Sequence, residues 1–274
     1  MGIFSGCLLL SDIDGTFYID GKIPKRNVEA VEYFKSEGGK FTAATGRGPY
    51  LGESVCKSMG INAPALMTNG SSIYDVYSRK MLEAGYLEEE IKQFINTVMQ
   101  KFPGVGIEIT LSDRLVTLNS NDDVIRHQKT EKITPIYMDF SEANKYSWLK
   151  VLLMSSDEVL LGELKNHMLA NKPEACSYIV SDPIFYEVLP SGVNKASGLY
   201  RLREILGTEK GKTFSIGNYY NDIEMITAAD IGAITPDAPE ELKDRADFIT
   251  GDAKRGAVAD FIEYLERVIK KDIN

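Results

Sequence analysis

Short apolar runs alternate with amphipathic stretches along this chain, and a change in that rhythm divides it into three parts. Residues 7–10 are apolar and stop at Ser11-Asp12-Ile13-Asp14-Gly15-Thr16, as a central parallel strand does where it opens into solvent. From Lys25 to Ser36 the residues Val28, Val31, Tyr33 and Phe34 recur at helical spacing, and Gly38-Gly39 supplies the stop. Strands are predicted over 41–45 and 64–68, with a helix over 52–59 between them and a hairpin over 73–82. Asp20-Gly21, between Phe17-Tyr18-Ile19 and Ile23, marks a small hairpin flap beside the acidic turn.

From about residue 83 the pattern loses its alternation. A helix over 88–102 is followed by strand-like runs at 105–111 and 115–118, then a polar stretch, 122–148, with no readable period. A strand at 150–154, a helix at 157–170 and strands at 175–180 and 186–189 complete an α+β segment, which predicts an inserted domain over 83–187. Alternation then resumes with a helix over 195–206, a strand at 213–216 and a helix over 222–229. Strands at 231–234 and 247–249 and an amphipathic helix over 257–269 close the chain. The expected fold class is α/β: a Rossmann-like core with a parallel sheet, built from 1–82 and 188–274, carrying the inserted domain.

Composition narrows the function classes. With 274 residues, 43% of them hydrophobic, the chain can bury one large core or two moderate ones. A net charge of −9 with no run of Lys or Arg argues against nucleic acid as a partner. Three cysteines without CxxC spacing indicate neither a disulfide framework nor a zinc site. The two histidines make a His-based triad improbable. No stretch reaches the ~18 apolar residues of a membrane span. No basic segment leading into a long apolar one opens the chain, so a reducing cytoplasm is the expected location.

Four polar clusters fall just after core strands or at a helix start: Asp12/Asp14, Thr45-Gly46-Arg47, Lys195, and Gly217-Asn218-Tyr219-Tyr220-Asn221-Asp222. In open α/β sheets, ligands collect beyond the carboxyl ends of the strands. Two carboxylates one residue apart call for a cation or a shared proton. A hydroxyl and a backbone N–H at a helix start can hold phosphate oxygens, and a lysine adds positive charge. Oxygen donors in the last cluster could complete a magnesium shell. An Asp nucleophile beside an Asp proton carrier, with Mg²⁺, could build an aspartyl-phosphate.

Asp-Ile-Asp-Gly-Thr, Thr-Gly-Arg, Gly-Val-Asn-Lys-Ala-Ser-Gly-Leu and Gly-Asn-x-x-Asn-Asp-Ile-Glu-Met resemble, in that order, the four motifs of the haloacid dehalogenase superfamily. The likeness is greatest to its Cof-like sugar-phosphatase branch, whose Asn-Gly turn is matched by Asn69-Gly70 and whose lead-in to the lysine is matched by Tyr186-Glu187-Val188-Leu189-Pro190. The resemblance covers the core, and the middle is similar in size and insertion point to that branch's α/β (type IIB) cap. It implies a Mg²⁺-dependent phosphatase of small phosphorylated metabolites, sugar phosphates first among them. Asp12 would be the nucleophile and Asp14 the general acid and base. Ile13, Thr45, Gly46, Lys195 and Asn221 would hold the phosphoryl group, and Arg47 would contact substrate. Asp12, Asp14, Asn218 and Asp222 would make the metal site. Substrate choice would lie with cap side chains that no motif identifies.

One position departs from the family. Gly217-Asn218 stands where Gly-Asp is usual, and that Asp is a metal ligand. Asn keeps an oxygen donor but lacks the charge, so weaker Mg²⁺ binding than in an Asn218→Asp variant is expected. Two rivals follow: a phosphomutase using the same covalent intermediate, and a non-catalytic sensor of a phosphorylated ligand. An EF-hand is excluded by Thr16 and Phe17. The glycines of Gly46-Arg47-Gly48-Pro49-Tyr50-Leu51-Gly52 are one residue too widely spaced for a dinucleotide fingerprint.

Overall fold

A computed structural model describes residues 2–273. The chain forms two compact units. One contains the chain up to Gly46, Gly52–Glu83 and everything from Asn194 onward; the other contains Arg47–Leu51 and Ala84–Val193.

The first unit is organised on five parallel strands in the order Phe248–Ile249, Ile231–Ile234, Thr213–Gly217, Leu8–Ser11, Lys40–Ala43. All four residues of Leu8–Ser11 are buried, because helices cover both faces of the sheet, and this is why the strand reads as an unbroken apolar run. Successive side chains point to opposite faces. Leu9 therefore packs with Val31, Phe34, Phe261 and Leu265 from helices Lys25–Ser36 and Ala253–Ile273. Leu8 and Leu10 pack with Leu199, Leu202 and Met225 from helices Lys195–Leu206 and Ile223–Ala228. Each such leucine contributes about 1.5–3 kcal/mol on burial. The parallel register sets Ser11 opposite both Ala43 and Ile216, so the residues that follow the three strands emerge along one edge. A three-stranded sheet, Ala65–Met67, Ser72–Asp75 and Lys80–Ala84, joins at that edge through a bridge from Ala44 to Leu66.

Two helices depart from the sequence reading by more than one residue at an end. The helix expected over 52–59 is Pro49–Ser58; Pro49 occupies the first turn, where a missing N–H costs nothing. The closing helix starts at Ala253 rather than 257 and breaks at Gly256, whose φ is +111°. That break interrupts the helical period and hides the extra turn. After it, the Ala259 N–H donates to the buried Asn27 Oδ1 at 3.1 Å. The Asp20-Gly21 flap closes as expected, through paired backbone bonds between Ile19 and Lys22 at 2.8 and 2.9 Å.

The second unit is an antiparallel sheet in the order Leu115–Asn119, Gly106–Thr110, Lys150–Met154, Phe185–Pro190, Cys176–Asp182. Helices Glu89–Lys101 and Glu158–Asn171 cover one face, packing Ile91, Ile95, Leu164 and Met168 on Ile107, Ile109, Val151 and Leu153. The other face carries buried polar groups. Glu108 accepts from Gln128 Nε2 at 2.8 Å and lies 2.7 Å from His127 Nδ1, and Lys150 pairs with Glu187 at 2.9 Å. The polar stretch 122–148 contains helices Asp122–Thr130 and Phe140–Ala143. Their periods were unreadable because Asp122–Thr130 buries Asp123 and Gln128 beside a single buried apolar residue, Val124.

Candidate active site

Lys195 begins its helix behind a capping box in which Asn194 Oδ1 accepts from the Ser197 N–H at 2.8 Å and Ser197 Oγ accepts from the Asn194 N–H at 3.1 Å. The cap fixes where the lysine leaves the helix. Its ammonium is fully buried and donates to Asp12 Oδ1 at 2.7 Å and Asp222 Oδ1 at 2.5 Å. Asp222 Oδ2 accepts from the backbone N–H groups of Asn218 and Tyr219 at 2.9 and 3.0 Å. Gly217 permits this folding-back, since a Cβ there would meet Asp222 Cγ at 2.3 Å.

Burial, opposed by Lys195 and reinforced by the charges of Asp222 and Asp14, pushes the Asp12 carboxyl up from its ordinary 3.8 to about 7. Burial pulls the Lys195 ammonium down, but the two carboxylates outweigh it and its pKa is raised. Two carboxylates thus share one buried ammonium while Asp14 adds negative charge near Asp12, an arrangement that a divalent cation would relieve. No group of three or more His, Cys, Asp or Glu among the described residues is gathered closely enough to hold a metal by itself. Magnesium is usually held by one or two carboxylates, with water and substrate phosphate completing the shell.

The second and fourth clusters meet at a tight turn. Thr68, Asn69 and Gly70 have φ of +50°, +52° and +94° in succession, and all three are buried. Left-handed backbone at a β-branched threonine costs about 1–3 kcal/mol and persists only when its surroundings enforce it. Here the Asn69 N–H donates to Thr45 O at 2.9 Å, and Thr68 Oγ1 is 2.8 Å from Ser72 Oγ. Asn69 Oδ1 accepts from Asn221 Nδ2 at 3.1 Å. Gly70 packs so close to the lysine's helix that a Cβ would lie 2.2 Å from Asn194 O.

The first unit thus holds two hydrogen-bonded groups, Asp12–Lys195–Asp222 and Thr45–Asn69–Asn221, which meet where Asn221 and Asp222 adjoin in the chain, and Gly46 lies beside the Asn69 side chain. Asp14 is exposed two residues beyond Asp12, where Gly15, at φ +81°, turns the chain. Asn218 lies against this turn: Thr16 Oγ1 donates to Asn218 Oδ1 at 3.4 Å, and a Cβ on Gly15 would strike Asn218 Nδ2 at 2.3 Å. The Ile13 side chain is buried in the core, which leaves its main chain as the only part able to serve a ligand. Arg47 belongs to the second unit, where it makes a two-point ion pair with Glu131, Nη2 to Oε1 at 3.2 Å. The sequence reading gave Asn69 no role; an Asn-Gly pair directly after a core strand was the available signal.

Residues 9–262 match the model of the haloacid dehalogenase-like hydrolases. The chain is 25% identical over 264 residues to the Bacillus subtilis 5-amino-6-(5-phospho-D-ribitylamino)uracil phosphatase YcsE, covering 94% of each. It is 22% identical over 263 residues to the Escherichia coli pyridoxal phosphate phosphatase YbhA, covering 92% of this chain and 95% of that one. A haloacid dehalogenase-like hydrolase from Bacteroides thetaiotaomicron superposes with a TM-score of 0.84 at 26% identity, over 94% of this chain and 98% of the other. The subclass IIB sugar phosphatase BT4131 has the same fold, with a TM-score of 0.83 at 22% identity over 94% and 98%. The α/β fold and the phosphatase resemblance read from the sequence are both met. With a family match that spans nearly its whole length, the protein belongs to the haloacid dehalogenase-like hydrolases.

Proposed function

We propose that the protein is a Mg²⁺-dependent phosphatase of small phosphorylated metabolites, sugar phosphates foremost, acting through an aspartyl-phosphate on Asp12. One observation carries this reading: Lys195 engages Asp12 through Oδ1, and among the described residues no hydrogen bond falls on Oδ2. A carboxylate held at one oxygen and open at the other is poised for nucleophilic attack.

In the first step Asp12 Oδ2 attacks phosphorus in line as the ester bond breaks, and Asp14 gives its proton to the departing alcohol oxygen. In the second, Asp14 takes a proton from water, whose oxygen attacks phosphorus, releasing inorganic phosphate and the Asp12 carboxylate. Exposure of Asp14 lets it exchange protons with solvent. Thr45, the Gly46 N–H, Lys195 and Asn221 neutralise the equatorial oxygens, where the charge of the transferring group lies. Acid–base assistance supplies ~10²–10⁴ in rate, so most of the acceleration falls to this positioning. Asp12, the Asp14 carbonyl, Asn218 and, through water, Asp222 would hold Mg²⁺, which supplies charge neutralisation when bound.

The phosphatase names of YcsE and YbhA support the reaction class and a small phosphorylated substrate. The test is turnover of a generic aryl phosphate with Mg²⁺ by wild type and Asp12→Asn. Loss of turnover in the variant is expected, and retention of a tenth of the wild-type rate or more overturns the nucleophile assignment. Asn218 favours a second reading, a phospho-ligand sensor. Tight ligand binding by the wild type without phosphate release at saturating Mg²⁺ decides for it.

A further inference from the structure

We infer that Asn69 is a positioning residue for phosphoryl binding, acting through Asn221. The inference rests on the phosphate-holding role proposed above for Asn221. Asn69 is fully buried at the centre of the left-handed turn, and its amide reaches the two clusters assigned to the phosphoryl group. Its Oδ1 accepts from Asn221 Nδ2 at 3.1 Å, from a residue 152 positions away in sequence. Its backbone N–H donates to Thr45 O at 2.9 Å, and its side chain lies beside Gly46, where a Cβ would come within 3.2 Å of Asn69 Nδ2.

An Asn carboxamide presents a donor or an acceptor according to how it is turned, and an anion requires the donor. The bond to Asn69 Oδ1 fixes the turn of Asn221 and leaves its second Nδ2 hydrogen for a phosphoryl oxygen. The turn itself is locked from its far side. The Arg201 guanidinium donates to Gly70 O, its Nη1 is 2.9 Å from Glu83 Oε1, and Gly198 leaves room for Gly70 Cα. Asparagine suits this position because it tolerates positive φ better than other side-chain-bearing residues.

The test is a double-mutant cycle on the Mg²⁺-loaded protein, read by calorimetric affinity for inorganic phosphate. Asn69→Gly keeps the backbone freedom and deletes the amide; Asn69→Ala deletes it at a backbone cost. Asn221→Ala and each Asn69 variant should weaken phosphate binding by about tenfold, the effect of one lost oriented hydrogen bond. Combined with Asn221→Ala, Asn69→Gly should add no more than about a further twofold. Equal loss in the Gly and Ala variants assigns the effect to the side chain; loss in Ala alone assigns it to the backbone and overturns the inference. Multiplicative losses in the double variant, or wild-type affinity in Asn69→Gly, also overturn it while leaving the phosphate role of Asn221 intact. Unchanged phosphate affinity in Asn221→Ala instead removes the role on which the inference rests.

Discussion

Lys195 and Asp12 lie 183 residues apart in sequence, yet the fully buried ammonium of one donates to Oδ1 of the other, itself mostly buried, at 2.7 Å. The pair joins the third motif to the first, and Asp222 on the same ammonium joins the fourth. Removing the ammonium would leave two buried carboxylates without their counter-charge. Lys195→Met is expected to lower unfolding stability in metal-free buffer by about 3–5 kcal/mol. Urea denaturation measures it, and a change below about 1 kcal/mol would show that the carboxylates do not depend on the lysine.

Asp12 also gives the metal-free protein a pH signature. Its folded-state pKa of about 7 lies above its ordinary 3.8, so between those values the native chain holds a proton that the unfolded chain has released. This contribution to stability is complete below about pH 4 and is lost as pH rises through about 7. Asp12→Asn should remove it, giving a flatter Tm-against-pH curve than wild type from about pH 4 to 8. Parallel curves would contradict the assignment.

Asn218 stands beside the acidic turn, with Thr16 Oγ1 donating to its Oδ1 at 3.4 Å. Asn218→Asp restores a negative charge at a position expected to face Mg²⁺. Calorimetry should find tighter Mg²⁺ binding in the variant, by about tenfold or more. Equal affinities would mean that Asn218 does not contribute to the metal site.

In the second unit the buried pair Lys150–Glu187, 2.9 Å apart, is completed by Ser181 Oγ donating to Glu187 at 2.6 Å. Lys150→Met alone should cost about 3–5 kcal/mol by leaving Glu187 uncompensated, whereas Lys150→Met with Glu187→Leu should return close to wild type. Chemical denaturation of the three variants decides it. A double variant no more stable than the single would show that the charges themselves support the sheet.

Much of the first unit was legible in the sequence. Helix Lys195–Leu206 has the expected limits because a cap and a helical period mark both ends, and strand Leu8–Ser11 announces itself by burial on both faces. Three of the four motif clusters were legible because they follow parallel strands whose ends align in the register, and Lys195 because it opens a capped helix. Asp123 and Gln128 defeated the helical reading of 122–130, since tertiary hydrogen bonds, not hydrophobicity, hold them inside. The pairing of Asn69 with Asn221 was invisible for a related reason: no local pattern encodes a bond between two surface-type side chains that only the folded sheet brings together.

The most direct test of the covalent role of Asp12 is peptide mass mapping of the Mg²⁺-loaded wild type, acid-quenched during turnover of an aryl phosphate. A phosphoryl group on the peptide that contains Asp12, absent from Asp12→Asn treated in the same way, is the expected result. Active turnover with no phosphoryl group on that peptide, or with the group on a different residue, would contradict it.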